Sequence, residues 1–254
     1  MKPKTLILRS AGTNCDVELA HAFQLAGSDT QAIHLNALVD SPDTLGRFDI
    51  LGLPGGFSFG DDISAGRILA NRLRHRLMPV LRQFVAAGKP IIGICNGFQV
   101  LVKTGLLPDF NPASEELPRQ TVTLADNTMP RFVDRWVNLQ ANPHSPCIWT
   151  RGVDSIALPI AHGEGRLVAS EDELDRLEAD GRIALRYAGE NPNGSMRDIA
   201  GLCDSTGLVF GLMPHPERYT HPRNHPDFPR GDMGPLGLAL FENAVAHVGE
   251  QAAV

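Results

Sequence analysis

Short apolar runs separated by polar stretches mark out the chain, and in its first half they alternate with segments of helical period. Leu6 to Leu8 reads as a strand. Asp16 can cap a helix through Leu25 with Leu19, Phe23 and Ala26 on its core face, and Gln31 to Leu35 reads as a second strand. Ile50 to Leu53 is a third strand, leading through a glycine-rich loop to a helix from Arg67 to Ala87. Lys89-Pro90-Ile91-Ile92-Gly93-Ile94 is a short buried strand, and a helix begins at Asn96.

Beyond that helix the grammar changes. Gln120 to Leu124, Arg131 to Leu139, Ile148 to Thr150 and Ser155 to Ile160 are short strand-like pieces between turns. Glu171 to Ala179 is helical, Ile183 to Tyr187, Ile199 to Cys203 and Gly207 to Phe210 are strands, and Leu236 to His247 is the last helix. The pattern predicts an α/β fold: an open, mostly parallel sheet with helices on both faces and a small antiparallel extension, its site at the carboxyl ends of the strands. With no repeat and no low-complexity linker, residues 1–254 read as a single domain.

Chemistry concentrates in three blocks. In Gly93-Ile94-Cys95-Asn96-Gly97-Phe98-Gln99 a cysteine sits where an apolar strand turns into a helix, with glycines two residues to either side. That spacing is the logic of a nucleophile elbow: the turn exposes the sulfur, and the helix start offers positive potential and unpaired N–H groups. Pro214-His215-Pro216-Glu217-Arg218 follows another apolar strand and places an imidazole and a carboxylate two positions apart, on backbone stiffened by prolines. Pro54-Gly55-Gly56-Phe57-Ser58-Phe59-Gly60-Asp61-Asp62 closes a third strand with glycines that let a backbone N–H approach a reacting centre. Cys95 is the candidate nucleophile, His215 the acid and base, and Glu217 its orienting carboxylate. Gly55, Gly56, Asn96 and Gln99 are the candidate substrate-binding residues.

The composition fits a soluble enzyme. The 254 residues are 43% hydrophobic and 20% charged, enough to bury a full core, and the net charge of −6 with scattered Lys and Arg suits neither nucleic acid nor a membrane surface. The start of the chain has no signal-peptide pattern and no apolar run reaches membrane-spanning length, so a cytoplasmic location is expected. Cys15, Cys147 and Cys203 show no pairing or metal spacing and read as structural. No metal is expected: His221 and His225 are four apart, but Pro222 and Pro226 oppose the helix that would align them.

The three blocks resemble the class I glutamine amidotransferases that use a Cys-His-Glu triad. Within that class, Asn96, Gly66-Arg67, Ala161-His162-Gly163-Glu164-Gly165-Arg166 and Asn191-Pro192-Asn193-Gly194-Ser195 are most similar to the glutaminase subunits of phosphoribosylformylglycinamidine synthases. The resemblance runs from Leu6 to about Val248. It implies hydrolysis of glutamine and transfer of ammonia to a large synthetase subunit, with a small accessory subunit as a further partner. It also implies that no cofactor is held here and that ATP and Mg belong to the synthetase, in line with the lack of a Gly-x-x-x-x-Gly-Lys-Ser/Thr loop in this chain. The 161–166 block carries charge and flexible backbone suited to docking or ammonia passage. Tyr219 to Arg230 is longer and richer in Pro and His than expected of compact members. A glutaminase serving another synthetase, a different Cys-elbow hydrolase and a silent binding module are the alternatives the residues leave open.

Overall fold

The structure is a computed structural model that describes residues 2–109, 111, 113, 114, 116–230 and 234–251. In chain order the first half holds β1 (Lys4–Arg9), α1 (Asp16–Leu25), β2 (Asp29–His34), α2 (Leu35–Asp40), β3 (Ile50–Leu53), α3 (Arg67–Arg76), α4 (Met78–Ala86), β4 (Ile91–Ile94) and α5 (Asn96–Thr104). The second half holds β5 (Thr123–Asp126), β6 (Val133–Ala141), β7 (Ser155–His162), β8 (Glu164–Val168), α6 (Glu171–Ala179), β9 (Ile183–Ala188), β10 (Ile199–Cys203), β11 (Val209–Leu212) and α7 (Leu238–Gln251).

Nine strands form one sheet in the order β2-β1-β3-β4-β11-β10-β9-β6-β7, and β5 pairs with β8 in a separate ribbon. The first five are parallel to one another, and β10, β9, β6 and β7 continue the same sheet antiparallel. The fold class is as expected. The three central parallel strands are buried at every position, as strands covered on both faces must be. α1 covers one face, where Leu19 and Phe23 crowd Gly52 of β3; α5 covers the other, where Gly97 and Leu101 crowd Gly93 of β4. α7 joins α1 through an edge-on contact of Phe23 with Phe241, centroids 4.9 Å apart.

Several elements differ from the sequence expectation. Asp16 is not the cap of α1: Cys15 holds the N-cap position, and the Asp16 carboxylate pairs with Arg9 at 2.6 Å. The second strand is Asp29–His34, because Leu35 opens α2, whose start is capped by His34 Nδ1 accepting the Asn36 N–H. The helix expected from Arg67 to Ala87 is two, broken at Leu77; Pro79, lacking an N–H, sits in the first turn of α4, where that loss is harmless. Ile148–Thr150 is a 3₁₀ turn, not a strand. Trp149 is fully buried there, donating its Nε1–H to the Leu208 carbonyl at 2.9 Å, and its packing outweighs β propensity. The strands expected at Gln120 to Leu124 and Arg131 to Leu139 begin later, β8 adds a strand to those expected, and the last helix is Leu238–Gln251.

Candidate active site

Strand order alone brings the three blocks together. β4 lies between β3 and β11, all three parallel, with Leu53 opposite Gly93 and Leu212 opposite Ile94. The glycine loop after β3, the elbow after β4 and the Pro-His-Pro-Glu segment after β11 therefore leave the same edge of the sheet side by side.

At the elbow Cys95 has φ 52° and ψ −106°, a left-handed conformation a non-glycine residue holds only under constraint. The constraint is close packing: a Cβ on Gly97 would lie 2.1 Å from the Leu53 carbonyl oxygen, and one on Gly93 2.5 Å from the Gly97 carbonyl oxygen. The two glycines thus seat α5 directly on β3 and β4. Cys95 N–H donates to the Leu212 carbonyl at 2.8 Å, and its sulfur lies 3.8 Å from the Ala161 carbonyl. As the residue before α5, Cys95 is followed by first-turn N–H groups that the helix itself leaves unpaired.

His215 and Glu217 are buried, and His215 Nδ1 is 2.7 Å from Glu217 Oε1. Backbone placement is equally firm, since the His215 N–H donates to the Pro159 carbonyl of β7 at 2.8 Å. Burial disfavours a charged ring. The Glu217 carboxylate and the Cys95 and Cys15 sulfurs outweigh it and hold the His215 pKa well above the ordinary histidine value. Its other nitrogen, Nε2, has no oxygen or nitrogen partner and is left to the Cys95 and Cys15 sulfurs.

A cavity of about 430 Å³ opens over Cys95, walled by Gly56, Gln99, Arg131, Phe132, His162 and Glu164 among others. Gln99 lines this wall and Asn96 is bonded to it, both with their side chains already committed. Asn96 Oδ1 accepts the Ser58 N–H, its Nδ2 donates to Asp61 Oδ1 and Gln99 Oε1, and Gln99 Nε2 donates to the Glu164 carbonyl at 2.6 Å. The part of Asn96 left for a ligand is its backbone N–H. Gly55 and Gly56 sit between the Cys95 elbow and the loop after β1, where Thr13 bridges to Gly56.

The 161–166 and 191–195 blocks interlock. Asn193 Nδ2 donates to the Gly165 carbonyl and Ser195 Oγ accepts the Leu167 N–H, so the second block buttresses the strand that carries the first. His162, expected in a flexible docking element, is buried instead. Asn127 Oδ1 accepts the Gly165 N–H and contacts His162 Nδ1 at 3.1 Å; an amide oxygen only accepts, so Nδ1 carries the proton and Nε2 is left bare. Burial, with a smaller contribution from His215, lowers the His162 pKa to about 4. Arg166 lies on β8 and donates its Nε–H to the Asp126 carbonyl.

One further residue escaped sequence reasoning. Cys15, read as structural, borders the triad, with Arg218 Nη2 donating to its sulfur at 3.2 Å. Cys15, His215 and Glu217 offer donor atoms within 4.8 Å of one another, the one such group among the described residues. The imidazole and carboxylate are bonded to each other, and Arg218 donates to the sulfur. In the Pro/His-rich segment, His221 caps the turn Pro222–Asn224, and His225 packs against Trp136, centroids 4.6 Å apart. Among the described residues no helix is long and apolar enough to cross a membrane.

The sequence pattern of the CobB/CobQ-like glutamine amidotransferase domain matches residues 2–248. The chain belongs to this family. The amidotransferase is 46% identical over 253 residues, 96% of this chain and 97% of its relative, to phosphoribosylformylglycinamidine synthase subunit PurQ of Dehalococcoides mccartyi. It is 39% identical over 268 residues, 96% of this chain and 97% of the other, to the protein of the same name from Methanococcus maripaludis. Among solved structures it is similar to a chain of PurLQS from Thermotoga maritima, with TM-score 0.74 and 30% identity over 97% of this amidotransferase and 99% of that chain. The expected class and its subunit type are borne out at the level of family and relatives.

Proposed function

We propose that the chain is the glutamine-hydrolysing subunit of a phosphoribosylformylglycinamidine synthase, with Cys95 as nucleophile, His215 as acid and base, and Glu217 as the group that orients and charges the imidazole. The observation that carries this reading is the convergence of the Cys95 elbow with the buried His215–Glu217 pair at the edge of three parallel strands, in a chain whose relatives bear that name. The cavity supports an amino-acid substrate: Asp61, Asp126 and Glu164 offer negative charge and Arg131 positive charge, as a zwitterion requires.

The Cys95 sulfur attacks the side-chain amide carbon of glutamine, and the oxyanion is met by backbone N–H groups at Gly56 and Asn96. His215, held charged by Glu217, gives its proton to the departing ammonia. A glutamyl thioester remains, and His215, now neutral, takes a proton from water as the water attacks, releasing glutamate and the free thiol. Gly55 gives the loop its close approach and Gln99 fixes the cavity wall. Ammonia is useful only if it reaches an acceptor, so a large synthetase subunit, with an accessory subunit, docks over the cavity and carries ATP and Mg. The biosynthetic role supports a cytoplasmic location.

The test is steady-state glutamate release by the purified chain, with and without the synthetase and its substrates. Release that depends on Cys95 and rises when the synthetase is present supports the reading, and equal rates in both conditions contradict the coupling.

A further inference from the structure

Cys15 belongs to the site yet has no part in the hydrolysis proposed above. The loop after β1 carries it to the triad, where its backbone N–H donates to the Gly55 carbonyl at 3.3 Å. Its sulfur donates to Asn14 Oδ1 at 3.1 Å and accepts from Arg218 Nη2 at 3.2 Å. Gly55 separates it from the nucleophile: a Cβ on that glycine would lie 3.2 Å from Cys15 Sγ, 3.5 Å from Cys95 Cβ and 2.9 Å from His215 Cε1. The side-chain position that Gly55 leaves empty thus touches both cysteine side chains and the imidazole.

The two thiols differ in access. Cys95 lines the cavity, whereas Cys15 is 1% exposed and lies behind the glycine loop. A small oxidant entering the cavity therefore meets Cys95 first. Burial raises the Cys15 pKa, with His215 and Arg218 opposing it, so the thiolate that attacks an oxidised sulfur forms as the Cys15 proton leaves.

We propose that Cys15 is a resolving thiol for Cys95: a hydroperoxide oxidises Cys95 to the sulfenic acid, and Cys15 condenses with it to a reversible disulfide. In the first step the Cys95 thiolate attacks one peroxide oxygen, the O–O bond breaks, and the other oxygen leaves, taking up a proton. In the second, the Cys15 thiolate attacks the Cys95 sulfur, the S–S bond forms, and the S–O bond breaks with water as the protonated leaving group. With hydrogen peroxide the sum is two thiols oxidised to a disulfide and one peroxide reduced to two waters. An external dithiol restores both thiols by exchange, whereas without Cys15 the sulfenic acid proceeds to sulfinic acid, which a dithiol cannot reverse. The proposal rests on Cys95 being the reactive thiol of the glutaminase. Activity of the untreated protein tests that reading separately.

The experiment treats the full chain with hydrogen peroxide and follows intact mass, unreduced peptide maps and glutamate release before treatment, after it, and after dithiothreitol. The wild type is expected to lose the mass of two hydrogens, to yield a peptide joining Cys15 to Cys95, and to regain most of its activity with dithiothreitol. Cys15→Ser is expected to gain the mass of two oxygens on Cys95 with no regain; circular dichroism checks its fold, and the mass readout holds even if its basal activity is low. Irreversible oxygen addition at Cys95 in the wild type overturns the proposal. So does a disulfide that maps only to Cys147 and Cys203, the other thiols that lie against each other.

Discussion

His215 Nδ1 and Glu217 Oε1 lie 2.7 Å apart, both side chains closed off from water, so the carboxylate's charge acts on the imidazole with little screening. Replacing Glu217 with Gln keeps an oxygen for the Nδ1–H but removes the charge that supports the imidazolium. We predict a fall in kcat of roughly 10²- to 10⁴-fold. The pKa of His215 is raised in the folded protein, so removing Glu217's charge moves it down. The alkaline limb of the pH–rate profile should then shift to lower pH, and an unmoved limb would show that Glu217 does not set the charge of His215.

The elbow depends on how closely α5 approaches β3. In Gly97→Ala the new methyl meets the Leu53 carbonyl, 2.1 Å from the ideal Cβ position, and helix or strand must retreat. The expected cost is about 1–3 kcal/mol of stability. A larger proportional loss of glutaminase activity should accompany it, because Cys95 moves with the helix start. Urea denaturation alongside glutamate release checks both, and a variant of unchanged stability would refute the packing argument.

His162 brings one buried ring into the acid stability of the chain. Its folded pKa, about 4, lies below the ordinary 6.5, so the unfolded chain binds the extra proton between these values and stability is lost as pH falls from about 6.5 to about 4. The loss amounts to about 3 kcal/mol at most. His162→Gln should flatten that part of the stability curve. Denaturant midpoints measured across the window test this, and identical slopes for the two proteins would contradict it.

How far the chain was legible depends on whether a signal was local. The elbow was, because Gly93, Cys95 and Gly97 constrain one another within a single turn, and so were the Gly55-Gly56 loop and the His215–Glu217 pair. Cys15 was not. It reaches the triad only because β1 lies beside β3, a pairing that nothing near Cys15 encodes. His162 differs from expectation for a related reason: its block looks polar and flexible, but its side chain is buried against Asn127, and the strand after it is braced by Asn193 and Ser195 from a distant segment. The break at Leu77 did have a local signal in Pro79, which the helical period around it masked.

The central claim is that this chain makes ammonia from glutamine at Cys95 and takes no part in using it. The most direct measurement is synthesis of phosphoribosylformylglycinamidine by the complex carrying Cys95→Ala, driven in parallel by glutamine and by added ammonium. The glutamine-driven rate should disappear while the ammonium-driven rate stays at the wild-type level. Substantial glutamine-driven synthesis by that variant would contradict it.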